Sequence, residues 1–140
     1  MAYTTATKIC LIALILSAMP AAFADTPSSL AAGYAADAAK ASPDFTPSAQ
    51  RGQTLFTKSW GVSQKMPGCT ACHGNDPKVG GKHVVTGKRI DPLAPSTNPE
   101  RFTSLKKVEK WFKRNCTEVI GRECSAAEKA DVIQFISQGS

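Results

Sequence analysis

The stretch at residues 67–74, "PGCTACHG", constrains this chain more than any other feature, because it contains the spacing C-x-x-C-H. Cys69 and Cys72 are separated by two residues, and His73 follows directly. This pattern is typical of covalent haem attachment, in which each thiol adds to one vinyl group and the adjacent histidine becomes the proximal iron ligand. The sequence therefore predicts one haem c, bound through Cys69 and Cys72 and ligated by His73.

Two other uses of these cysteines fit less well. A zinc site would also need Cys116 and Cys124, but these lie eight residues apart, whereas paired zinc ligands are usually about two to four apart. A catalytic dithiol normally accompanies a βαβ pattern, which we do not find in this sequence. Haem attachment is the use that explains both cysteines, their spacing and the histidine that follows.

The first 24 residues differ in composition from the rest of the chain. Lys8 supplies a positive charge, an apolar run follows, and residues 22–24 read Ala-Phe-Ala, a small-residue cleavage site. We expect a signal peptide cleaved after about Ala24, which would place the mature protein in the periplasm. The apolar run ends at Pro20 and is shorter than the roughly twenty residues that cross a bilayer, so we expect no stable membrane insertion after cleavage.

The charge of the chain is modestly basic. Its formal net charge is +6, and cleavage would remove Lys8 and no acidic residue, leaving +5. We find no long Lys/Arg run and no nucleic-acid-binding module, so we expect no nucleic-acid partner. Several basic residues in the loop and the following helix could meet haem propionates or an acidic electron donor, although a solvated surface is the simpler interpretation for most of them. They include Lys82, Lys88, Arg89, Lys106 and Lys107.

The length of 140 residues and the helical patterning predict one small all-α domain. Residues 25–45 are expected to form an N-terminal helical arm, rich in alanine and poor in large apolar side chains. Residues 46–140 are expected to form the haem domain. Its first helix is predicted to have Thr46 as N-cap and Pro47 at the first helical position.

Two amphipathic helices are predicted near the C-terminus. "TSLKKVEKWFKRN" places four apolar residues on one face. "SAAEKADVIQFISQ" opens with a capping box formed by Ser125 and Glu128, and we expect Phe135 to meet Phe56 where the first and last helices of the haem domain cross. The apolar residues of the first of these helices are Leu105, Val108, Trp111 and Phe112.

The stretch from His73 to about Phe102 shows neither helical nor strand periodicity. A loop of this length needs something to pack on, and a buried haem would supply an apolar disc. Ile90, Leu93 and Ala94 are therefore candidate haem contacts.

The ligand on the other side of the iron stays open from the residues alone. Methionine and histidine are the strong axial partners of a c-type haem, and beyond residue 24 the chain offers Met66 and His83. Met66 precedes Cys69 by only three residues, so we do not expect it to reach the opposite face. His83, in "GGKHVVTG", would give bis-histidine ligation, and a lysine or an empty site are further alternatives.

The second cysteine pair could close the loop "CTEVIGREC", with Gly121 at its turn. Such a bridge would contribute about 2–3 kcal/mol by restricting the unfolded chain. Asn115 immediately precedes Cys116, at the end of a predicted helix. Spacing alone does not make Asn115 an iron ligand.

Five segments of the chain together resemble the sphaeroides haem protein (SHP) family: "CTACHGNDP", "TGKRIDPLAPSTNPERFT", "KVEKWFKRNC", "VIGREC" and "EKADV". Members of this family are oxygen-binding monohaem c-type cytochromes. The resemblance spans nearly all of the predicted mature chain. It implies a small class I cytochrome c-like fold, wrapped around one covalently bound haem by long loops.

The resemblance also implies roles for particular residues. Cys69 and Cys72 would carry the haem, His73 would be the proximal ligand and Asn115 the distal ligand of the resting protein. A disulfide would join Cys116 to Cys124.

In this family the ferric haem is high-spin, and the ferrous haem loses the asparagine and binds oxygen or nitric oxide; carbon monoxide would be a further diatomic ligand. The usual electron donor is a dihaem cytochrome c. An oxygen- or nitric oxide-reacting oxidoreductase would use the same open iron. The alternative function is plain electron transfer with a strong distal ligand such as His83.

Overall fold

The computed structural model describes residues 24–138 of the chain. This part contains five α-helices, one π-helical turn and one short hairpin. The predicted signal peptide, apart from Ala24, lies outside the described residues. None of the helices within residues 24–138 is long and apolar enough to cross a membrane. In chain order the elements are α1 (Pro27–Ala39), α2 (Ala49–Thr57), α3 (Thr70–His73), β1 (Gly81–Lys82), β2 (Arg89–Ile90), α4 (Leu105–Asn115), the π-turn (Cys116–Ile120) and α5 (Ala126–Gln138).

The core is organised around the crossing of α2 and α5. Phe56 on α2 and Phe135 on α5 are both buried, and their ring centroids lie 5.6 Å apart. This confirms the predicted contact between the two phenylalanines. Val132 and Ile136 pack in the same cluster, so α5 presents a continuous apolar face to α2.

The start of α2 differs from the prediction. Its N-cap is Ser48, not Thr46, and the Ser48 side chain accepts a hydrogen bond from the Arg51 backbone N–H. The reason is tertiary: buried Asp131 on α5 accepts the Ser48 backbone N–H at 2.7 Å and holds the Arg51 guanidinium with both carboxylate oxygens. A carboxylate from a distant helix therefore fixes where α2 begins.

The helix α1 is part of the core and does not project as an arm. Leu30, Ala31 and Tyr34 are buried against Ala130 and Ile133 of α5. The alanine-rich composition that suggested weak attachment permits close helix contact instead, since small side chains let the two backbones approach. The α1 N-terminus is closed by a capping box between Thr26 and Ser29.

The predicted apolar face of α4 is buried only in part. Val108 is buried and Phe112 is half-buried, whereas Leu105 and Trp111 are 48% and 47% exposed. The difference arises because α1 and α5 cover only the Val108 side of the helix. The N-cap is Ser104, whose side chain accepts the Lys107 backbone N–H.

The capping box of α5 has the predicted form. The Ser125 hydroxyl accepts the Glu128 backbone N–H, and the Glu128 carboxylate accepts the Ser125 backbone N–H at 2.8 Å. Arg122 adds two hydrogen bonds to the same carboxylate. Together these contacts fix the orientation of the chain as it enters α5.

The long segment after His73 is ordered by backbone contacts as well as by its short hairpin. Gly81 pairs with Ile90 and Lys82 with Arg89. Further along, the Pro77 carbonyl accepts the backbone N–H groups of Leu93 and Ala94 at 2.9 Å. Ala94 is fully buried, while Leu93 is half-buried against the cluster of Phe56 and Phe135.

Candidate haem site

The attachment motif lies in a single helical turn, α3, which ends at Gly74 with φ of 70°. Cys69 and Cys72 are both unpaired thiols and both partly exposed. The backbone around them is tightly packed, because Gly81 rests directly against the Cys72 carbonyl and leaves no room for a Cβ. The turn is thus held in place while its two sulfur atoms stay accessible.

His73 is held in a mostly apolar environment next to the core. Its ring centroid lies 6.1 Å from that of Phe56. Burial, together with smaller effects of Arg101 and His83, lowers the pKa of His73 to about 4. The imidazole is therefore neutral at pH 7, the form in which histidine binds a metal.

Burial also raises the pKa of the first cysteine of the motif. It raises the pKa of the Cys69 thiol to about 11, so this sulfur is protonated at neutral pH. Cys69 packs beside the cluster of Phe56, Val132, Phe135 and Ile136. The thiol of Cys69 is thus held in its neutral form at the edge of an apolar surface.

Half-buried apolar residues gather around this edge, as a haem-binding surface requires. Leu55, Leu93, Phe102 and Phe112 all pack against the same cluster as Cys69. Phe102 adopts φ of 60°, a left-handed conformation that is strained for an aromatic residue. The two accessible thiols, the neutral imidazole and this apolar surround fit a covalently attached haem.

Asn115 is the last residue of α4 and immediately precedes the π-turn. It is half-buried, and within residues 24–138 its carboxamide makes no hydrogen bond. π-turns occur often at functional sites. The sequence contains no pattern that predicts this turn.

The π-turn is tied to the segment before α5 by the second cysteine pair. The Sγ atoms of Cys116 and Cys124 lie 1.98 Å apart and their Cα atoms 5.7 Å apart. Gly121, with φ of 83°, ends the turn. Leu55 and Phe112 contact both this cysteine cluster and the cluster next to Cys69, so the surroundings of Asn115 and of the attachment motif share side chains.

The two other candidate ligands have different surroundings. The Nδ1 atom of His83 accepts the backbone N–H groups of Val85 and Thr86, each at 3.3 Å. Accepting at Nδ1 places the proton of the neutral ring on Nε2, and a protonated nitrogen cannot bind iron. Met66 is half-buried just before the motif, and its backbone N–H is bound by the Ser63 hydroxyl.

Comparison with known proteins gives consistent relationships. A family model described as a domain of unknown function, DUF1924, matches residues 43–136. The cytochrome c-type protein SHP of Cereibacter sphaeroides is 48% identical over 129 residues, which cover 89% of this chain and 95% of that protein. The level and extent of this identity are sufficient to establish the family.

Two solved structures have the same fold. The structure of oxidised SHP, an oxygen-binding cytochrome c, aligns with a TM-score of 0.72 at 42% identity and covers 82% of this chain and 98% of its own. The solution structure of cytochrome c'' from Methylophilus methylotrophus, a study of haem-ligand detachment, aligns with a TM-score of 0.69 at 39% identity, covering 79% and 90%. Both agree with the predicted all-α, class I cytochrome c-like fold.

Haem c is the cofactor that these relatives share and that the C-x-x-C-H turn of this chain is built to attach. The match over residues 43–136 and the identity to SHP extend well beyond that turn. The chain therefore belongs to the SHP family of monohaem c-type cytochromes.

Proposed function

We propose that this protein is a periplasmic cytochrome in which the distal ligand of the haem iron depends on the oxidation state of the iron. In the proposal Cys69 and Cys72 hold the haem through thioether bonds, and His73 is the proximal ligand. Asn115 is the distal ligand of the ferric protein. Reduction releases Asn115 and allows the ferrous haem to bind oxygen or nitric oxide.

The observation that carries the proposal is the unpartnered carboxamide of Asn115. A half-buried amide that makes no hydrogen bond to the described residues has its carbonyl oxygen available to bind a metal. Its position at the end of α4 supports this role, because the tethered π-turn that follows limits how far the backbone can move.

The choice of an amide ligand explains the dependence on redox state. Haem c supplies one iron atom that changes between the ferric and ferrous forms. The carboxamide oxygen of Asn115 is a hard, neutral and weak-field donor that ferric iron accepts better than softer ferrous iron. Methionine or histidine would remain bound in both states and would suit simple electron transfer.

The surroundings of His83 favour Asn115 over bis-histidine ligation. Two backbone N–H groups occupy His83 Nδ1, and to bind iron through Nε2 the ring would have to lose these contacts or change its tautomer. The imidazole is already used in fixing the turn of the hairpin. A role as turn-forming residue thus accounts for the hydrogen bonds that His83 makes.

The relatives support the same proposal. SHP is described as an oxygen-binding cytochrome c, and cytochrome c'' as a protein in which a haem ligand detaches. We extend both properties to this chain, with a dihaem cytochrome c or a similar protein as electron donor. Carbon monoxide is expected to bind as the other diatomic ligands do.

The proposal also includes cleavage of the signal peptide and a disulfide bond, as expected for an exported protein. Residues 1–24 are removed, residues 25–45 form the N-terminal helical segment and residues 46–140 form the haem domain. A Cys116–Cys124 disulfide is supported by the Sγ separation of 1.98 Å and is compatible with the oxidising periplasm.

Ferric optical spectra of two variants test the assignment of the distal ligand. Asn115→Ala removes the proposed ligand, and His83→Ala is the matched control. We expect Asn115→Ala to change the high-spin ferric spectrum, with His83→Ala matching the unmodified protein. A low-spin ferric spectrum that only His83→Ala converts to high-spin would overturn the proposal.

A further inference from the structure

Residues 78–90, which follow the haem motif and include the hairpin, expose three valines. Val79, Val84 and Val85 are 60%, 46% and 54% exposed, and the last two are adjacent at the tip. Isolated apolar residues are common on surfaces, but several on one loop with a polar rim mark a binding surface. Neither the attachment of the haem nor the ligation of its iron uses these valines.

Hydrogen bonds hold the hairpin together despite its short strands. The His83 N–H donates to the Lys88 carbonyl at 2.8 Å, and the Gly87 N–H donates to the His83 carbonyl at 2.8 Å. The His83 imidazole accepts two further backbone N–H groups of the tip. These hydrogen bonds order the tip that carries Val84 and Val85, and an ordered tip loses less entropy when a partner binds.

Three lysines lie in the same segment of the chain as these valines, residues 78–88, and none has an acidic partner in residues 24–138. Lys78, Lys82 and Lys88 are all exposed, and the nearby ion pair in this segment is the long contact of Arg89 with Asp91 at 3.7 Å. On α4, Arg114 pairs with Glu118 at 3.0 Å and Lys113 has a long contact with Glu123 at 3.8 Å, while Lys106 and Lys107 have no acidic partner among the described residues. The charge of the hairpin is thus available to attract an acidic protein.

The hairpin also contacts the haem-attachment turn directly. Gly81 of β1 lies directly against the Cys72 carbonyl and the His73 backbone. A protein that binds the hairpin would lie next to the residues that hold the haem. The hairpin is separate from α4, the helix that carries Asn115.

We infer that Lys78, Val79, Lys82, Val84, Val85 and Lys88 form the docking surface for an acidic redox protein that reduces the haem. The valines supply the apolar centre and the lysines the charged rim, as in other transient interfaces. This inference rests on the proposed function in one respect, namely that another protein supplies the electron. One electron leaves the reduced partner and is taken up by the ferric iron, and no atom is transferred.

Anaerobic stopped-flow reduction of the ferric holoprotein by reduced flavodoxin, an acidic redox protein, tests this surface. We expect Lys82→Glu with Lys88→Glu to lower the second-order rate about tenfold at an ionic strength of about 0.1 M, where remote charges are screened. The matched pair Lys106→Glu with Lys107→Glu, on α4, is expected to change the rate less than about twofold. Val84→Ser with Val85→Ser is expected to lower the rate also at about 0.5 M salt, where ionic attraction is weak.

A neutral flavin semiquinone, used as a small reductant, should reduce all variants at the rate of the unmodified protein. Equal losses from both lysine pairs, or no loss from the hairpin pair, would overturn the docking surface. Carbon monoxide uptake in the same experiment reports on the proposed function separately. A haem that is reduced through the hairpin but takes up no carbon monoxide would refute the proposed function and leave the docking surface standing.

Discussion

Gly52 of α2 rests directly against the main-chain carbonyl of Asp131 on α5, so closely that no Cβ fits at position 52. A Cβ there would also lie 2.9 Å from the Cβ of Phe135. This contact sets the distance at which the two helices cross. It thereby brings Phe56 against Phe135, and Phe56 in turn contacts His73.

Gly52→Ala is therefore expected to destabilise the protein by about 2–4 kcal/mol, because the clash is with backbone and cannot be relieved by a side-chain rotation. Gly33→Ala in α1 is the matched control, since its Cβ would meet no atom within 4 Å. The control should be neutral or stabilising by up to about 1 kcal/mol, as alanine is the better helix former. Urea unfolding of the two holoprotein variants measures both effects, and equal destabilisation would contradict the account.

Asp131 connects α5 to the start of α2 through a buried carboxylate. Asp131→Ala leaves the Ser48 N–H and the Arg51 guanidinium without their partner, so we expect a loss of about 2–4 kcal/mol. Asp37→Ala breaks an exposed ion pair with Lys40 and should change the free energy of unfolding by less than about 0.5 kcal/mol. Chemical denaturation distinguishes the two, and similar small effects would show that the Asp131 network does not stabilise the fold.

A second network links the three helices α1, α4 and α5. Glu109 accepts the Tyr34 hydroxyl at 2.6 Å and the Lys129 ammonium at 2.8 Å. Burial alone would raise the pKa of Glu109, but the hydrogen bonds from Lys129 and Tyr34 outweigh it and lower the pKa below the ordinary value of 4.5. Folding therefore favours the ionised carboxylate.

This shift predicts a particular pH dependence. The contribution of Glu109 is complete above pH 4.5, the ordinary pKa, and disappears as the pH falls through the lower pKa of the folded protein. Glu109→Gln should cost about 1 kcal/mol at pH 7, a value reduced by solvent screening of the half-exposed carboxylate. The free energy of unfolding should be measured at pH 7 and at pH 3 for Glu109→Gln and for the unmodified protein. The difference between the two proteins should be smaller at pH 3. A difference that grows at low pH would mean that the sign of the shift is wrong.

Asn115→His tests whether position 115 reaches the iron by adding a strong ligand. We expect low-spin spectra in both oxidation states and carbon monoxide binding slowed at least about tenfold, because imidazole stays bound to ferrous iron. Thr117→His, two residues along on the exposed side of the π-turn, is the control and should behave like the unmodified protein. High-spin spectra and normal carbon monoxide binding in Asn115→His would place residue 115 out of reach of the iron.

The helices were largely predictable because their signals are local. The capping box of Ser125 and Glu128 depends only on residues at the start of one helix. The contact of Phe56 with Phe135 follows from the apolar spacing of two helices that cross. The C-x-x-C-H motif likewise specifies its cofactor through adjacent residues. These features need no knowledge of distant contacts.

Other features depend on distant partners and could not be read from the pattern. Ser48 caps α2 because Asp131, far along the chain, accepts its N–H. Leu105 and Trp111 stay exposed because no described helix covers that side of α4. His83 looked like a free candidate ligand, yet its hydrogen bonds form only once the hairpin folds. The role of Asn115 came from the family resemblance and is still a proposal.

The rate at which carbon monoxide binds the chemically reduced, unmodified protein tests the central claim most directly. If reduction releases Asn115, the reaction should be a single phase whose rate rises in proportion to carbon monoxide concentration, because the iron is already open. A rate that levels off at high carbon monoxide concentration would mean that a ligand must first leave ferrous iron. That result, or no binding at all, would contradict redox-controlled release of the distal ligand.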